Sequence, residues 1–151
     1  MNASGETRGT VLIVDDDPAV LILIQCILTA ADYRVLVAAE RAGALRVVQQ
    51  KHIRIDLALL DVCVPGVSGT ELADELLAIR PNIRVLWMSG FVDEEFIRVK
   101  LVDEYATFLQ KPLHRHDLLV AVEQALEAAP GDGTPGHEAE RTLTSGATHF
   151  T

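Results

Sequence analysis

Four short stretches of the 151-residue chain concentrate side chains able to do chemistry. They are Asp15-Asp16-Asp17, Asp61 with the following Val62-Cys63-Val64-Pro65-Gly66, Ser89-Gly90, and Lys111-Pro112. Each stands behind, or one residue beyond, an aliphatic run. Carboxylates brought together repel one another unless a cation intervenes or one of them takes up a proton. Lys111 and a divalent metal are the available remedies. Mg2+ is typically held by one or two protein carboxylates, several waters and a phosphate oxygen. A carboxylate is also a nucleophile toward phosphorus, giving an acyl phosphate. Phosphoryl transfer asks little of a protein beyond positioning and charge neutralisation. Metal, Lys111 and the Ser89 hydroxyl would each hold one equatorial oxygen. The constellation implies an aspartyl-phosphorylation site, provided that the fold brings the four stretches to one place.

Five apolar runs are the elements that must do so: Thr10–Val14, Arg34–Val37, Leu57–Leu60, Arg84–Met88 and Thr107–Leu109. They are nearly continuous rather than alternating, which predicts strands covered on both faces. Helical segments lie between them. Asp17-Pro18 reads as an N-cap followed by Pro at the first helical position, opening a helix to about Ala31. Leu45 and Val48 mark a second helix, and Leu72, Ala73, Leu76 and Leu77 a third that stops at Pro81. Phe96, Ile97, Val99 and Leu101 suggest a fourth. The last runs from Leu118 to Ala129 on a clean apolar stripe. Strand then helix, five times over, predicts an α/β fold: a flavodoxin-like (βα)5 doubly wound parallel sheet of strand order 2-1-3-4-5. Such sheets bind ligands beyond the carboxyl ends of their strands, at the switch point between the first and third. All four chemical stretches fall there.

Composition narrows the function classes. The chain is 49 % apolar and only 5 % aromatic, so its core is aliphatic, and a net charge of -9 disfavours direct nucleic-acid binding. Two cysteines, Cys26 and Cys63, cannot build a disulfide framework and suit a reducing cytosol. The polar segment 1–9 has no signal-peptide pattern and reads as a flexible N-terminus. The longest uncharged stretch, Pro18 to Ala31, has 14 residues and is too short for membrane insertion. A cytoplasmic protein is expected. From Pro130 to Thr151 the chain becomes rich in Pro, Gly, Ser and Thr and reads as a disordered tail, too short for a folded output domain.

The residues resemble the receiver domain of two-component response regulators, the CheY-like family, over about residues 10–129. The resemblance rests on Val14-Asp15-Asp16, on Asp61-x-x-x-Pro65-Gly66-x-x-Gly69, on Ser89-Gly90 and on Phe108-x-x-Lys111-Pro112. It implies that Asp61 is the phosphoacceptor, taking its phosphoryl group from a sensor histidine kinase or a histidine phosphotransfer protein, with autodephosphorylation and no turnover of other substrates. It further implies a Mg2+ (or Mn2+) site in which Asp16 and Asp61 are ligands, Asp15 acts through water, and Cys63 offers its backbone carbonyl. Ser89 and Phe108 would be switch residues relaying phosphorylation to a downstream protein target. Lys111 would bind the phosphoryl group, and the Lys111-Pro112 bond would be cis. Val64 stands where the family often has Met, and Phe108 where Tyr is frequent.

Other readings remain. A haloacid-dehalogenase-like phosphatase would want Thr or Val where Ala19 follows Asp15-Asp16-Asp17-Pro18, and the chain lacks room for a substrate cap. A degenerate receiver would act as an unphosphorylated binding module. A nucleotide-binding protein of similar fold would need glycine-rich phosphate loops, which are absent. The first helix adds a surface reading. Placing Val20, Ile24, Ile27 and Leu28 inward turns Ile22, Gln25, Cys26 and Thr29 outward, with Leu21 at the edge. This uncharged face is expected to dock a kinase through Leu21 and Ile22, or a second copy in a homodimer.

Overall fold

Val11, Ile13, Leu57 and Leu59 alternate along two strands with Leu12, Val14, Ala58 and Leu60, and the two sets enter different cores. Side chains alternate faces along a strand, so a sheet covered on both sides needs apolar residues at every position. The computed structural model describes residues 7–64, 67–90 and 108–127, apart from the side chains at positions 64, 67–69 and 108. The elements are β1 (Thr10–Val14), α1 (Pro18–Ala30), β2 (Arg34–Ala38), α2 (Arg41–Val48) and β3 (Leu57–Asp61). A two-stranded antiparallel hairpin follows, β4 (Cys63–Val64) and β5 (Val67–Ser68). Then come α3 (Gly69–Ile79), β6 (Arg84–Ser89), β7 (Phe108–Gln110) and the last described helix, α4 (Arg115–Glu127).

Five strands form one parallel sheet ordered β2-β1-β3-β6-β7, which is the expected 2-1-3-4-5 order with the small hairpin set aside. Helices α1 and α4 cover one face, where Ile24, Ile27, Leu28, Leu118 and Val122 meet Val11, Ile13, Leu57, Leu59, Leu86 and Met88. Helices α2 and α3 cover the other, where Ala44, Val48, Leu72 and Leu76 meet Leu12, Val14, Leu60 and Trp87. Each fully buried Leu or Ile contributes about 1.5–3 kcal/mol, so this aliphatic sandwich is the main source of stability.

Local chemistry sets the ends of the elements. Asp17 caps α1, its carboxylate accepting from the Ala19 N–H at 2.9 Å, with Pro18 in the first turn. At the other end Asp32 adopts φ 72°, and the Tyr33 N–H reaches back to the Leu28 carbonyl at 3.0 Å. That is a left-handed helix termination, which Asp tolerates better than most residues. The last strand runs one residue past the expected Leu109, while Thr107 lies outside the described residues: Gln110 pairs with Ser89, and the Lys111 N–H continues the ladder to the Ser89 carbonyl at 2.7 Å. A polar side chain is no obstacle there, because Gln110 is exposed at an edge. Strands β2, β3 and β6 each run one residue beyond their apolar runs, to Ala38, Asp61 and Ser89.

Arg80 ties two connections together on the α2–α3 side. Its guanidinium donates to the carbonyls of Val48, Gln50 and Ile53 at 2.9, 2.7 and 2.6 Å. Lys51 in return donates to the Ile79 carbonyl at 2.7 Å. Cations therefore sit at the carboxyl ends of α2 and α3, where they complement the helix dipoles. The fourth expected helix, Pro65, Gly66, segment 1–6 and the segment from 128 onward lie outside the described residues. Among the described residues no helix is long and apolar enough to cross a membrane.

Candidate functional site

Parallel strands carry Asp15, Asp61 and Ser89 to the same edge of the sheet. The ladder fixes their neighbourhood: Val14 lies opposite Leu60, and Asp61 opposite Met88. Carboxylate oxygens of Asp15, Asp16 and Asp61 all lie within 4.8 Å of one another. Asp15 and Asp61 are buried, whereas Asp16 is exposed at the mouth. Lys111, just past β7, bridges the buried pair, with its Nζ 2.7 Å from Asp15 Oδ2 and 2.8 Å from Asp61 Oδ2. The Lys111-Pro112 peptide bond is cis.

Three aspartates are held by the same local device. Asp15 Oδ1 accepts from the Asp17 N–H at 2.8 Å, Asp17 Oδ1 from the Ala19 N–H at 2.9 Å, and Asp61 Oδ1 from the Cys63 N–H at 2.9 Å. Each bond joins a carboxylate to the backbone two residues ahead, the Asx-turn habit of Asp. Sequence reasoning missed the Cys63 and Asp17 amides as donors, although the Asx preference is the signal that points to them. For Asp61 the bond fixes one oxygen and leaves the other with Lys111. For Asp15 the fit is poorer. Its Oδ2 is buried and near Lys111, but the contact is an ion pair without the alignment of a hydrogen bond.

Burial is the largest influence on Asp15 and pushes its carboxyl pKa up, with the charge of Asp61 adding to the rise. The Lys111 contact and the Asp17 N–H oppose this without cancelling it. Burial alone would lower the Lys111 ammonium, but the close carboxylates of Asp15 and Asp61 outweigh it and hold its pKa above the ordinary value. An under-satisfied buried carboxylate oxygen beside two further carboxylates suits a hard divalent cation. The donor set therefore fits Mg2+.

Ser89 is buried at the end of β6 and its hydroxyl donates to the Gly90 carbonyl at 3.2 Å. The structure thus brings together Asp15, Asp16, Asp61 and Lys111, and holds Ser89 on the adjoining strand end. The Phe108 side chain lies outside the described residues. On α1, Ile24, Ile27 and Leu28 are buried and Gln25, Cys26 and Thr29 exposed. Ile22 is 61 % exposed, while Leu21 packs partly against the core. Leu23, 44 % exposed, widens the outer face beyond the residues expected from helical spacing.

The family model of the response regulator receiver domain matches residues 11–123. The chain belongs to this family. The receiver is 31 % identical over 116 residues to sporulation initiation phosphotransferase F of Bacillus subtilis, covering 77 % of this chain and 92 % of that protein. It is also 31 % identical over 119 residues to the sensor kinase CckA of Brucella abortus, covering 79 % of this chain but only 13 % of that much longer protein. Among solved structures, a response regulator receiver domain from Clostridium thermocellum superposes with a TM-score of 0.70 at 27 % identity, covering 78 % of this chain and 94 % of that one. Receivers act in two-component signalling, where they interact with histidine kinases or phosphotransfer proteins and bind Mg2+ at an acidic pocket.

Proposed function

We propose that this receiver accepts a phosphoryl group on Asp61 from a phosphohistidine of a kinase or phosphotransfer protein. The observation that carries the reading is the Asp61 carboxylate itself, fixed through one oxygen by the Cys63 N–H and contacted through the other by Lys111. An Asp61 oxygen attacks phosphorus, the N–P bond of the donor breaks, and the histidine leaves with its electron pair as an acyl phosphate forms on Asp61. Asp15, Asp16 and Asp61, with the Cys63 carbonyl, would hold Mg2+, which supplies charge neutralisation for the phosphoryl oxygens. Lys111, already charged and placed between two carboxylates, is positioned to follow the new negative charge. Ser89 needs only to exchange its Gly90 carbonyl for a phosphoryl oxygen. Hydrolysis of the acyl phosphate returns the receiver to its starting state, so no other substrate is turned over. The exposed α1 face at Ile22, with Leu21 beside it, is the docking surface for the donor's helices.

Incubation with Mg2+ and a small acyl-phosphate donor tests this by intact mass. The wild type gains about 80 Da, one phosphoryl group, and Asp61→Asn gains nothing while keeping its fold. Amide protection around β7 and α4 changes only in the wild type. An equal adduct on Asp61→Asn moves the site elsewhere, and no adduct on either protein leaves a binding module. The docking face is read separately: Ile22→Glu slows transfer from a phosphorylated histidine donor about tenfold or more, from the loss of roughly 1.5–3 kcal/mol of apolar burial. Transfer from the small donor is unaffected. Equal rates from the histidine donor remove α1 as the docking face.

A further inference from the structure

The opposite edge of the sheet is charged the other way. Two open clefts of about 460 and 260 Å3 adjoin at Arg54, Asp56 and Arg84, where β3 and β6 begin. Arg8, Lys51, Arg54, Arg80 and Arg84 line them, with Asp56 as the one carboxylate. Arg8 is already paired with Glu123 of α4 at 2.6 Å, which leaves four cations around one acid, a surplus that stands out on a chain of net charge -9. Asp56 is no counter-ligand for an incoming cation, because the Thr10 N–H and Arg54 Nε occupy its two oxygens, each at 2.8 Å. Arg80 and Lys51 are held on backbone carbonyls, so their charges are fixed in place. Arg54 differs: its side chain is 86 % exposed and uses only Nε on Asp56 among the described residues. An exposed pair of this kind contributes little to stability. The rest of its guanidinium fork faces water in a geometry that matches a carboxylate.

We propose that this basic edge docks an acidic, Asp- or Glu-rich segment of a partner protein, with Arg54 as the principal contact. Charge complementarity selects the occupant. An acidic segment is repelled by the chain's overall charge and attracted by this edge, so the patch both captures and orients it. The open, polar clefts suit an extended acidic peptide, recognised as arginine clusters recognise such motifs, better than an apolar small molecule. Strands of five residues separate this edge from Asp61 by about 16 Å, so the partner and the phosphoryl donor can bind together. The proposal does not rest on the phosphoacceptor reading.

Fluorescence anisotropy with a labelled hexaglutamate peptide at low ionic strength is the test. Wild type and Asp61→Asn bind alike, and binding weakens as salt is raised to about 150 mM, where the Debye length is about 8 Å. Arg54→Glu weakens binding about tenfold or more, whereas Arg46→Glu, with the same change in net charge on the exposed face of α2, stays within about twofold. No binding by the wild type, or equal losses in the two variants, overturns the proposal. So does binding of inorganic triphosphate without binding of the peptide, which would make the edge a phosphate site.

Discussion

Asp15, just past the carboxyl end of β1, and Asp56, just before the amino end of β3, are both carboxylates withdrawn from water on the same sheet. Asp56 is 13 % exposed and has a well-formed partner for each oxygen, the Thr10 N–H and Arg54. Asp15 is fully buried, shares Lys111 with Asp61, and has one oxygen without an aligned hydrogen bond. One carboxylate is spent on the fold and fastens β3 to β1. The other is kept under-satisfied beside two more of its kind, an arrangement that only a cation completes. The contrast shows where the molecule gives up stability in order to have a site.

Removing the shared cation breaks the comparison most sharply. Lys111→Ala leaves two buried carboxylates facing each other, and chemical denaturation without metal should show a loss of about 3 kcal/mol. Added Mg2+ should recover much of that loss, because it replaces the missing charge. A variant as stable as the wild type would mean that the pocket is wetter than its burial implies.

A smaller loss is expected at the other end. Asp56→Ala strands the Thr10 N–H and should cost about 2 kcal/mol. Here Mg2+ should offer no rescue, and phosphorylation by a small donor should proceed at the wild-type rate. Any Mg2+-dependent recovery would show that the two edges are not independent.

The smallest effect has the opposite sign. Asp15→Asn removes a buried charge and should raise metal-free stability by on the order of 1 kcal/mol, while stabilisation by Mg2+ disappears. The pH dependence follows from the raised Asp15 pKa. A carboxyl that binds its proton more tightly when folded contributes stability as pH falls through its folded pKa toward the ordinary 3.8. The advantage of Asp15→Asn over the wild type should therefore be full above that folded pKa and vanish as Asp15 protonates. An advantage independent of pH would assign the gain to packing rather than charge.

These two edges were not equally legible in the sequence. The acidic edge could be read because its residues terminate apolar runs, and parallel topology turns strand ends into neighbours. Asp15, Asp61, Ser89 and Lys111 are separated by tens of residues, yet one rule about sheets gathers them. Arg8 and Arg54 precede strands and Arg84 opens one, positions where polar residues look like ordinary connections. Only the side-chain geometry separates Arg80, whose guanidinium is used up on backbone carbonyls, from Arg54, which stands in solvent. Apolar content could not mark the β4–β5 hairpin either, since two residues per strand give no period to detect. On α1 the 100° spacing placed Ile24, Ile27 and Leu28 inside and Ile22 outside, but it did not place Leu23, which is exposed because the covered stripe there is narrow.

The bonds from Arg80 have a consequence for how the protein opens. The carbonyls of Val48, Gln50 and Ile53 belong to the end of α2 and the connection to β3, while Arg80 follows α3 directly. Neither helix can leave the sheet without breaking bonds at the end of the other, and Lys51 on Ile79 repeats the constraint in reverse. On this side of the sheet α2 and α3 therefore form one cooperative unit, in which local unfolding begins with both or with neither. Helix α1, on the opposite face, shares none of these bonds; its carboxyl end is joined instead to α4 through Arg8, which donates to the Ala31 carbonyl and pairs with Glu123.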